Sequence, residues 1–126
     1  MSVRALLVFV DGIGFGAPDA RNPFHGAPIE ILAPLGNPGQ SAPKNVHLAA
    51  IDATLGHPGL PQSATGQASI YTGHDAVAVA GGHRSGWPTR AIADLIAKES
   101  IFARARASGL RAGFLNAYHE SFASRV

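Results

Sequence analysis

The segment RALLVFV, Arg4 to Val10, is after its first residue an unbroken apolar run that stops at Asp11-Gly12. A run without polar alternation, rich in β-branched and aromatic side chains, has no solvated face to offer. It reads as a strand covered on both sides, the central-strand type of an α/β sheet. It is too short for a membrane span, which takes about 20 apolar residues, and it lacks the cleavage pattern of a secretory leader. The expectation is a cytoplasmic protein with no membrane partner.

With 126 residues, 46% of them hydrophobic and 14% charged, the chain can build one compact core but not two ordinary domains. The absence of cysteine excludes disulfides and thiolate metal sites. Basic and acidic side chains are unevenly spread: only Arg4, Arg21 and Lys44 are basic before residue 81, whereas Arg84, Arg90, Lys98, Arg104, Arg106, Arg111 and Arg125 follow it. No basic cluster is interleaved with aromatics, so nucleic acid is not the expected partner.

Residues 12–45 are dense in Gly and Pro and read as a long surface excursion, with a short helix near 29–35. VHLAAIDA, Val46 to Ala53, reads as a second strand, with a helical turn as its alternative. A short helix is expected over Thr65 to Tyr71. Thr89 to Gly109 carries apolar residues at helical spacing, with Thr89 as cap, Ser100 as a break between two helices and Gly109 as the left-handed stop. LRAGFLNA, Leu110 to Ala117, then reads as a strand after its helix, which predicts a parallel βα arrangement. A sheet of two or three strands has open edges, so the sequence reads as the N-terminal portion, 1–126, of a larger α/β domain.

Two places stand out for chemistry. Asp11 closes the first expected strand, where α/β sheets bind ligands, and its carboxylate is a hard oxygen ligand for a divalent cation. The plainer reading is a turn in which Gly12 takes a left-handed conformation. The glycines at 12, 14 and 16 have G-x-G-x-G spacing, which is not the dinucleotide fingerprint. The second place is LPQSATGQASIYTG, Leu60 to Gly73. Here a hydroxyl is set at a helix start, either to cap the helix or to meet an anion drawn by free N–H groups and the helix dipole.

Taken together, VFVDGIG and GLPQSATGQASIYTG resemble the alkaline phosphatase superfamily. Within it they resemble metalloenzyme domain proteins related to bisphosphoglycerate-independent phosphoglycerate mutase and phosphopentomutase. The resemblance implies a three-layer α/β fold with a mostly parallel sheet, and metal-dependent phosphoryl transfer or phosphate-ester hydrolysis through a phosphoserine intermediate. Ser63 would be nucleophile and metal ligand, with Thr65 as the alternative nucleophile, and Asp11 would bind metal. Gly66 and Gln67 would meet the substrate, a phosphorylated small molecule. Two divalent ions (Zn, Mn or Mg) would serve as cofactors. The superfamily's later Asp-His and His ligands have no counterpart in this sequence, so the chain reads as incomplete for catalysis. The alternative is a non-catalytic anion- or nucleotide-binding α/β module.

Overall fold

The computed structural model describes residues 4–37 and 39–116. The chain divides into two compact units, Met1–Asp52 and Ala53–Val126.

The expected α/β sheet is not formed: the described residues contain helices and no strand. The segment that most suggests a strand lies open, with Leu6 84% and Val8 69% exposed. A central strand needs a hydrogen-bonded neighbour on each side and a packed layer on each face. Among the described residues none of these is formed, so an apolar run alone does not make a strand. The second expected strand is likewise irregular, with Leu48 and Ile51 exposed. Leu110 to Asn116, the described part of the third, is irregular too.

In the first unit the only helix among the described residues is α1, Ala33–Gly36, shorter than the expected 29–35 helix. Asn22 ties the preceding loop to it: its Nδ2 donates to the carbonyls of Ala17 and Leu35, both at 3.1 Å, and its Oδ1 accepts from the Phe24 N–H. Gly36 is buried against the backbone of Phe24, close enough that a Cβ would overlap the carbonyl.

The described residues of the second unit form four helices: α2 (Ser63–Thr72), α3 (Ala76–Ala80), α4 (Arg90–Glu99) and α5 (Ile101–Ala107). The small side chains Ala64, Thr65, Ala68 and Thr72 form the buried side of α2. Their size lets α4 approach and seat Ile92, which is fully buried with Ala68 and Ala76; Ala80, Leu95 and Ile96 pack around them. Thr89 caps α4 by accepting from the Ile92 N–H at 3.3 Å. Ser100 ends α4 in an extended conformation and caps α5 by accepting from the Ala103 N–H at 3.2 Å. The Thr89 cap and the break at Ser100 stand where the sequence places them, and the cap that Ser100 makes to α5 is an addition to that reading. Gly109 follows the end of α5 at a φ of 73°. No helix among the described residues is long and apolar enough to cross a membrane.

Candidate functional site

Ser63 is the first residue of α2, after an extended Gln62 and the fixed backbone of Pro61. The helix repeat then sorts the sequence-predicted residues by face. Ser63, Gly66 and Gln67 stand at i, i+3 and i+4, so they share one side of the helix. All three are half-buried, whereas Ala64, Thr65 and Ala68 are buried. A Cβ built on Gly66 meets nothing within 4 Å. The glycine is therefore not required by packing, and it leaves open space between Ser63 and Gln67.

Thr65, the alternative nucleophile, is fully buried. Its Oγ1 donates to the Gln62 carbonyl at 3.3 Å and accepts from the Arg84 N–H at 3.3 Å. The Arg84 carbonyl in turn accepts from the Ala64 N–H at 3.1 Å and the Thr65 N–H at 3.3 Å. The Gly66 N–H donates to the Gln62 carbonyl at 2.8 Å. These contacts correct the reading of the helix start as an open anion cradle, because the donors at Ala64, Thr65 and Gly66 already meet carbonyl oxygens. The Arg84 backbone lies against the first turn of α2, and its side chain carries a charge. Arg84 is exposed, and its Nη2 donates to the Ala80 carbonyl at 3.3 Å. A guanidinium has five donors, so one such bond leaves capacity for a phosphate.

A second polar group lies along the same stretch of chain. His57 ends a tight turn in which Leu55 and Gly56 both take left-handed conformations, at φ 54° and 75°. Its Nε2 meets Asp75 Oδ2 at 2.7 Å, while Asp75 Oδ1 accepts from the Ala78 N–H at 2.9 Å and caps α3. The hydrogen bond from His57, and then that from Ala78, hold the Asp75 carboxyl below its ordinary value. The His57 ring stands edge-on to His83, with centroids 6.4 Å apart. Both His83 ring nitrogens are shielded from solvent and make no hydrogen bond among the described residues.

Sequence reasoning does not single out Asp75. Its one signal is an Asp immediately before the apolar run AVAVA, a helix-cap position. Its partner, 18 residues earlier, carries no sequence signal.

Asp11 lies in the first unit and is exposed, in a turn with Gly12 at φ 74°. That geometry is the plainer of its two sequence readings. Among the described residues, no group of three His, Asp or Glu side chains is placed to hold a metal ion. Comparison with family models, curated proteins and solved structures returns no match to this chain.

Proposed function

We propose that the accessible side of α2 takes a phosphate ester of a small molecule, with Ser63 as the attacking hydroxyl. The observation that carries this reading is the alignment of Ser63, Gly66 and Gln67 on one half-exposed helix face, with open space over Gly66. Arg84 adds to it, because its backbone is hydrogen-bonded to the first turn of α2 and its side chain is a phosphate partner suited to two-point binding. In the reaction, Ser63 Oγ forms a bond to phosphorus while the ester P–O bond breaks. The hydroxyl proton leaves with the departing oxygen, and water or a second hydroxyl later takes the phosphoryl group from serine. Gln67 donates to a substrate oxygen from the next turn.

The two divalent ions implied by the resemblance are not supported in the same way. Asp11 and Ser63 are too few ligands to hold such ions tightly, and the described residues gather no set of three. The alternative of a backbone cradle for an anion loses its basis where the Arg84 carbonyl takes the Ala64 and Thr65 donors.

The test is hydrolysis of p-nitrophenyl phosphate by the parent chain and by Ser63→Ala, each with and without added Mn²⁺ or Zn²⁺. Mass spectrometry is used to look for one phosphoryl group on the Ser63 peptide. Loss of both signals in Ser63→Ala is the expected result. Equal activity in the two proteins removes Ser63 from the role.

A further inference from the structure

Asp11-Gly12 is the one Asp-Gly link in the sequence; Asp19, Asp52, Asp75 and Asp94 are each followed by Ala or Leu. An aspartyl residue can close a ring on the chain when its carboxyl swings back to the next amide nitrogen. A Cβ on the following residue crowds that nitrogen, and glycine has none.

The surroundings of the link favour this closure. Asp11 and Gly12 are exposed in a turn and lie outside every helix of the described residues. Gly12 has a φ of 74°, and a Cβ built on it meets nothing within 4 Å. The preceding segment, Arg4 to Val10, is exposed too and joins no ladder among the described residues, so rotation at Asp11 disrupts no helix or sheet.

Aspartates in the second unit are held differently. Asp75 Oδ1 accepts from the Ala78 N–H at 2.9 Å as the cap of α3. Asp94 lies inside α4, with its carboxylate 3.1 Å from Arg90 Nε. Ring closure at either would break helical hydrogen bonds.

We propose that Asp11-Gly12 is a site of spontaneous isoaspartate formation in the folded chain. The Gly12 nitrogen forms a bond to Asp11 Cγ and gives up its proton, which leaves with the hydroxyl of the carboxylic acid as water. The product is a five-membered succinimide. Water then adds to one of its two carbonyls. Opening at Cγ restores aspartate. Opening at the main-chain carbonyl leaves Gly12 joined through Cγ, frees the Asp11 α-carboxylate and lengthens the backbone by one methylene. The water lost is regained, so the mass is unchanged. Neither Ser63 nor phosphate takes part.

The experiment incubates the folded full chain at neutral pH in water enriched in ¹⁸O. Peptide mapping follows the label, and an isoaspartyl methyltransferase, which esterifies the freed α-carboxylate, follows the product. Label and methyl group are expected on the Asp11 peptide, at a rate within about fivefold of a synthetic peptide of residues 4–18, because an exposed turn adds little to the barrier. Gly12→Ala is expected to slow the reaction about tenfold. Asp11→Glu abolishes it, since its ring would have six members and close far more slowly. The Asp75 and Asp94 peptides stay unlabelled. A folded chain slower than the peptide by more than that fivefold margin overturns the proposal. So does a Gly12→Ala rate equal to the parent's, or isoaspartate at Asp75 or Asp94 as fast as at Asp11.

Discussion

Arg84 and Thr65 hold each other by two backbone-directed hydrogen bonds: the Arg84 N–H donates to Thr65 Oγ1 at 3.3 Å, and the Thr65 N–H donates to the Arg84 carbonyl at 3.3 Å. The loop after α3 is thereby fastened to the first turn of α2, and a threonine that resembles a nucleophile becomes part of the fastening. Thr65→Val keeps the shape of the side chain and removes the hydroxyl. It leaves the Arg84 N–H without that acceptor in a part-buried place, at a cost of about 1–3 kcal/mol. A lowered urea midpoint and faster hydrogen exchange at the Arg84 amide are expected. Unchanged exchange there would show that the hydroxyl does not hold the loop.

Gly66 separates a structural role from a functional one. It sits inside α2 with nothing near a built Cβ, so Gly66→Ala is expected to raise stability by about 0.5–1 kcal/mol through helix propensity alone. If a phosphate ester enters over Gly66, the same methyl blocks it, and turnover falls in a protein that melts at a higher temperature. A stabilised protein with unaltered turnover would move the substrate away from this face.

The pairing of Asp75 with His57 sets a dependence on pH. The Asp75 carboxyl is held below its ordinary value of 3.8, first by the His57 hydrogen bond and then by the Ala78 N–H. A depressed folded value means that the stabilisation is fully present above the unfolded value and is lost as pH falls through the folded one. The loss therefore belongs below about pH 4. His57→Gln is expected to bring the Asp75 titration, followed by carboxyl NMR, back toward 3.8, and to speed exchange at the Ala78 amide. An Asp75 titration identical in the two proteins would remove His57 as the cause.

Ile92 is the largest side chain fully buried among the described residues of the second unit. It fills the space that the alanines of α2 and α3 leave open, so Ile92→Ala creates a cavity that small neighbours cannot close. A loss of about 2–5 kcal/mol is expected from thermal or chemical denaturation. In a unit whose core is a few small residues around one isoleucine, that is a large share of the total. A loss below about 1 kcal/mol would mean that the helices close over the gap.

Local signals carry α4 and α5 well, but not α3, whose Ala76–Ala80 lies in a stretch that reads as a Gly-rich loop from Gly73 to Pro88. Thr89 and Ser100 are side chains that compete for backbone donors within three residues, so their caps are set by neighbours in sequence. The helix expected over Thr65 to Tyr71 forms as Ser63–Thr72, starting two residues earlier at the hydroxyl that the sequence sets at a helix start. These features depend on contacts a few residues apart, and that is why they are legible in the sequence.

The α/β sheet shows the limit of such reading, because a strand is completed by a partner that its own residues do not specify. RALLVFV has the composition of a central strand and none of the pairing, and it lies exposed. The same limit hides the contact of His57 with Asp75 and the closing of α2 by Arg84, which join residues 18 or more positions apart. Sequence by itself settles where helices begin, where they break and which side chains share a face. Tertiary structure alone decides which hydroxyl is buried, which carbonyl fills the helix start and whether an apolar run finds a neighbour. Those outcomes depend on long-range packing, whose free energy belongs to the pair of segments and to neither one alone.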